Sequence, residues 1–134
     1  MKKLAFFLSF TILFFSCTKN EIEDTKDSRF YGKWSLVEYT LGATYIPPLK
    51  YDEGKIIWEF KDDDSFIVTN APGIKVIPRR NGVFPYTTYS NNTINQFIIN
   101  DFAFGFKFTS ENNLEIFGDM ASDGPWYRFV RYSD

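Results

Sequence analysis

The chain has 134 residues, enough for one domain. Its formal charge is −2, it contains no histidine and it has a single cysteine. These counts exclude a basic nucleic-acid face, a Ser-His-Asp or Cys-His nucleophile system, the commonest zinc ligand and any internal disulfide. In chain order, "MKKLAFFLSFTILFFS" (1–16) comes first, with Lys2 and Lys3 ahead of an uncharged apolar run from Leu4 to Phe15. A short apolar run behind a basic start is a secretory signal, and twelve residues are too few to span a bilayer as a helix, which takes about 20.

Ser16 and Cys17 follow that run directly, in the box Phe14-Phe15-Ser16-Cys17. This resembles the bacterial lipoprotein signal, in which the cysteine after a small residue is acylated and becomes N-terminal. The resemblance implies a lipid anchor, palmitate among its acyl groups, on Cys17 and a mature chain of 118 residues that begins there. Without Lys2 and Lys3 that chain holds thirteen basic and seventeen acidic residues, a charge of −4, which again speaks against a nucleic-acid partner. The stretch "TKNEIEDTKDSR" (18–29) has Ile22 as its one large apolar residue and reads as a flexible tether spanning on the order of 20 Å. Its "TKNEIED" is similar to the stretches behind the lipidated cysteine of surface-exported lipoproteins of Bacteroidetes, and a plain soluble spacer is the competing reading.

From Phe30 onward, period-2 segments recur between turn signals, and no long 3.6-period stretch is found. The expected strands are 30–40, 54–60, 65–70, 74–78, 83–90, 93–100, 101–109, 114–118 and 125–132. Asn81-Gly82 predicts a type I′ hairpin, which would set Pro78 opposite Pro85 and mark a sheet edge, since proline cannot donate to a ladder. Asn91-Asn92, "SENN" (110–113) and "ASDG" (121–124) mark further turns. Short strands with tight sequential turns predict an all-β fold, an up-and-down antiparallel meander barrel of about eight strands over residues 30–134. The longest connection, "LGATYIPPLKYDE" (41–53), reads as a lid or binding loop.

Gly32-Lys33-Trp34 opens the first strand, and the last strand carries Arg131. The pattern resembles the lipocalin superfamily, in particular the compact lipocalin-like lipoproteins of Bacteroidetes. The resemblance implies that Gly32, Trp34 and Arg131 form a plug at the closed end of a calyx, with Arg128 as the alternative arginine. It also implies an outer-membrane lipoprotein, on the periplasmic face or the cell surface.

Phe102, Phe104, Phe106 and Phe108 alternate with Ala103, Gly105 and Lys107, so the four rings share one face of a strand and should look inward. The stripe is about 20 Å long, the height of a small barrel, and should run from closed base to open mouth. Trp58 and Phe60 share a face of their own strand in the same way. Twenty-two aromatics in the 118-residue mature chain fit either a solid core or a pocket for an apolar molecule. Two functions follow: a binding protein holding a small apolar ligand against Phe102, Phe104, Phe106, Phe108, Trp58 and Phe60, or an envelope module with a solid barrel that meets a protein partner through its loops. No cofactor or metal is expected. "DDD" (62–64) lacks the spacing of a calcium loop and suits a turn, and Arg79-Arg80 reads as a solvated turn. Glu59, Asp101 and Glu115 are not paired as glycosidase acids would be, so no enzyme is expected.

Overall fold

A computed structural model describes residues 27–42, 47–69, 80–90, 94–118 and 124–134. The signal segment, Cys17 and most of the tether lie outside the described residues, as do the expected strand 74–78, Pro78, Arg79 and the turn residues Asn91-Asn92 and 121–123. The described chain is all-β apart from a 3₁₀ turn, Ser28–Phe30. Its strands are β1 (Gly32–Leu41), β2 (Leu49–Lys50), β3 (Ile57–Phe60), β4 (Ser65–Thr69), β5 (Gly82–Pro85), β6 (Thr87–Ser90), β7 (Asn95–Ile99), β8 (Phe102–Ser110), β9 (Asn113–Phe117) and β10 (Pro125–Tyr132).

All pairings are antiparallel, in the order β5-β4-β3-β1-β10-β9-β8-β7-β6, with β2 attached to β1. The two outermost strands, β5 and β6, are separated in the chain by Tyr86 alone. They are two halves of one bent strand, the first laddered to β4 and the second to β7. Among the described residues the sheet therefore curls until its edges meet in one segment, an eight-staved barrel with an unsealed seam. Pro85 stands beside that seam opposite Ser65, and Tyr86 N–H returns to Asp64 O at 2.9 Å. That bond keeps the register of the Ser65–Pro85 pair, so the ladder to β4 runs one step past Pro85, whose missing N–H costs it no bond.

Two turns depart from the sequence reading. β4 pairs directly with β5, and the expected strand 74–78 lies outside the described residues. Among the described residues, left-handed φ at non-glycine positions occurs at Asp64, Asn100 and Asp101, and not at Asn81. The two-residue hairpin with positive φ at both positions is thus Asn100-Asp101, closed by the pair Ile99–Phe102. Asn and Asp reach that region at low cost because their short side chains bond locally, and so they can stand in for Asn-Gly.

The long first connection is pinned to β1 over much of its length. Leu49 and Lys50 pair with Tyr39 and Glu38, Tyr51 N–H donates to Val37 O, and Gly54 N–H donates to the buried Ser35 Oγ at 2.9 Å. β1 shares one edge between β3 at its start and β2 at its end, with a register shift at Val37 against β10. A bulge of this kind increases local twist and lets one strand serve two neighbours. β1, β4, β7 and β9 all run toward the end of the barrel away from the 3₁₀ turn, which distinguishes a base from a mouth.

Candidate functional site

The base is built from the chain that enters it. Asp27 caps the 3₁₀ turn by accepting from Arg29 N–H at 3.1 Å, and its carboxylate also holds the Arg29 guanidinium at 2.6 Å. The turn drives Phe30 into the barrel, where it is 1% exposed. Its ring centroid lies 4.8 Å from Phe106, 5.1 Å from Phe108, 5.2 Å from Phe60 and 5.9 Å from Phe97. Trp34 is fully buried beside it and donates Nε1–H to Phe30 O at 2.7 Å.

Arg131 faces Trp34 across the β1–β10 ladder, with its guanidinium carbon 4.0 Å from the centre of the indole. Its two terminal nitrogens donate to Tyr31 O at 2.6 Å and Arg29 O at 2.9 Å, which ties the 3₁₀ turn to the last strand. Partial burial lowers the guanidinium pKa from its ordinary value. Arg128, on the opposite face, pairs instead with Glu38 at 2.5 Å. Gly32 stands at φ +105°, and a Cβ there would come within 3.3 Å of Arg131 Nη1, so the position suits glycine on both counts. Arg29 completes the cover, 4.4 Å above the ring of Phe108.

The phenylalanine stripe divides along its length. Phe108 is half-buried at the base under Arg29, while Phe106 and Phe104 are buried at 2% and 6% exposure. Phe102 does not join the interior: it is 59% exposed. β8 reaches Phe102 three residues past its last pairing with β9, Gly105–Phe117, so no β9 ladder flanks the ring on that side. Phe102 is therefore corrected from an enclosed ring to an exposed one at the mouth.

Trp58 and Phe60 lie deep in the core, each 1% exposed. Trp58 spans the barrel, with its ring 5.1 Å from Phe66, 4.8 Å from Phe129 and 6.4 Å from Phe97. Among the described residues Trp58 Nε1 and Tyr51 Oη are buried without a hydrogen-bond partner, and burial raises the Tyr51 phenol pKa. Nearer the mouth the interior continues through Tyr127 and Tyr39, 5.1 Å apart, and Phe104, 6.3 Å from Tyr127.

The carboxylates weighed from the sequence are engaged structurally. Glu59 pairs with Lys61, Glu115 with Lys107 at 2.8 Å, and Asp101 forms the hairpin turn. In the acidic turn Asp63 accepts from Ser65 N–H and Oγ–H, and Asp64 takes left-handed φ. Among the described residues no three potential ligands gather for a metal ion. Sequence reasoning passed over Arg29 and misread Phe30, assigning one to the tether and the other to the first strand. Asp27-Ser28 ahead of an aromatic was the available signal, since Asp and Ser favour the entry of a helical turn. Tyr86 was also missed, because a bend inside one strand has no marker beyond Pro85.

No family model matches the chain, and no curated protein matches it. Among solved structures it is similar to an uncharacterized protein from Bacteroides eggerthii, with 14% identity over 77% of this chain and 99% of that chain and a TM-score of 0.48.

Proposed function

We propose that the chain is an envelope lipoprotein, anchored through an acylated Cys17, whose lipocalin-like barrel receives a small apolar molecule at its mouth. The observation that carries the reading is the asymmetry of the phenylalanine stripe. One end is stoppered by Phe30, Trp34 and two arginines, while the other ends in Phe102 at 59% exposure. An aromatic ring held in water at the rim of an otherwise aromatic interior is surface that an apolar ligand would cover. The unpartnered Tyr51 hydroxyl supports a ligand with one polar atom, because a buried hydroxyl gains from any partner that reaches it.

A second reading is favoured by Trp58. Its contacts to Phe66, Phe97 and Phe129 fill the middle of the barrel, as expected of an envelope module with a solid core and a protein partner.

A titration of the full chain with an environment-sensitive apolar dye tests the ligand reading. Saturable uptake that weakens in Phe102→Ala and Phe104→Ala, and is unchanged in the outward-facing Lys107→Ala, is the expected result. Failure of the wild-type chain to take up dye, together with a protein that co-purifies in native mass spectrometry, would favour the solid module. Metabolic labelling with a palmitate analogue tests the anchor separately: wild type should take up label and Cys17→Ser should leave the membrane fraction.

A further inference from the structure

The outer face of β7 to β10 and the adjoining β1 carries two parallel rows of side chains. In the first, Gln96, Gly105, Phe117 and Trp126 stand directly opposite one another from strand to strand. At about 4.8 Å per strand the row is roughly 14 Å long. In the second row, two residues nearer the base, Lys107, Glu115, Arg128 and Glu38 are likewise opposite one another. Lys107 lies 2.8 Å from Glu115 and Arg128 lies 2.5 Å from Glu38, so the signs alternate and cancel.

Gly105 gives the first row its flatness. A Cβ at that position would lie 2.2 Å from the Phe117 ring, so the ring rests directly on the glycine backbone. A groove of about 530 Å³ opens there, lined by Ile94, Gln96, Ala103, Gly105, Lys107 and Phe117. Beyond Phe117 the row ends at Trp126, 46% exposed, with Lys107 Nζ 5.7 Å from its ring.

We propose that this row is a binding site for a neutral saccharide, a short oligosaccharide segment lying across the strands. A sugar ring has C–H groups on its faces and hydroxyls on its edge, which matches aromatic rings bordered by an amide and a polar ladder. The electron-rich faces of Phe117 and Trp126 attract the C–H faces. Gln96 and the ladder offer donors and acceptors to the hydroxyls. An anion or cation gains little, because the ladder has no net charge. A wholly apolar molecule would strip water from the Gln96 amide and the ion pairs without replacing it. This site is separate from the barrel mouth and does not depend on what the mouth binds.

The full chain, in a detergent without sugar headgroups, can be titrated with maltotriose and cellotriose by calorimetry in wild type and variants, with tryptophan emission also followed in wild type. Trp34 and Trp58 are buried, so an exposed indole covered by a sugar shifts the signal through Trp126. Saturable blue-shifted emission is expected with at least one of the two sugars. Trp126→Ala should weaken binding about tenfold or more, Gln96→Ala should weaken it less, and Trp126→Phe should recover part of the loss. Apolar-dye uptake should be the same in wild type and Trp126→Ala. Absence of binding to both sugars at millimolar concentration would overturn the proposal, as would binding indifferent to Trp126→Ala. Dimerisation in sedimentation that Trp126→Ala abolishes would also overturn it, assigning the face to a second copy of the chain.

Discussion

Trp34 and Arg131 show how much one pair of side chains can hold. Removing the indole leaves a large void in a close-packed interior and strands Arg131 over it, so Trp34→Ala should cost about 3–5 kcal/mol. Arg131→Ala should cost less, because that side chain is only partly buried. The two should couple by about 0.5–2 kcal/mol, the range of cation–π contacts from exposed to desolvated. A double-mutant cycle by urea denaturation measures the term, and additivity within error would show that the contact adds no stability of its own. Arg131→Lys is the more informative variant. It keeps the charge but loses the fork that reaches Tyr31 O and Arg29 O together, so it should recover only part of the loss.

At the scale of one element, β8 carries a graded series. Phe106→Ala and Phe104→Ala remove buried rings and should cost about 3–5 kcal/mol each. Phe108→Ala, half-buried under Arg29, should cost about 2–3 kcal/mol, and Phe102→Ala less than about 1 kcal/mol. Denaturant melts of the four variants check the order, and four equal losses would contradict a stripe that is buried in its middle, half-covered at the base and open at the mouth. The alternation that places three of these rings inside was legible in "DFAFGFKFT", because strand geometry leaves a side chain two directions only. Where the stripe leaves the interior was not legible, because that depends on how far β9 runs beside it. The turns show a similar limit. Asn81-Gly82 has the stronger local signal, yet Asn100-Asp101 takes the left-handed pair, since register is decided by the facing strand and not by the dipeptide. The double role of β1, with β3 at one end and β2 at the other, was hidden for the same reason.

Among the described residues the chain forms an eight-staved barrel with its seam at Tyr86, and the meander that makes it was readable from short strands and their turns. The seam supplies a pH prediction. Tyr86 is buried and donates its hydroxyl to Lys61 O at 3.2 Å; burial, with the charges of Tyr31 and Asp64 nearby, raises its pKa well above that of a free phenol. A raised phenol pKa favours folding fully below the unfolded value of about 10 and loses that contribution as pH rises above it. Urea midpoints should therefore hold steady up to about pH 10 and fall beyond it, and Tyr86→Phe should fall less steeply. An equal alkaline slope in the variant would place the sensitivity elsewhere. The base has a mechanical consequence. The backbone that leads in from the N-terminus becomes the stopper before it becomes a stave: Asp27 to Phe30 fill the hole, and β1 starts at Gly32. A barrel hung by that end is a flask held by a string tied to its cork, and any tension on the string loads the cork first. On the proposed Cys17 anchor, the bonds of Arg29 and Arg131 are the first to bear such a pull.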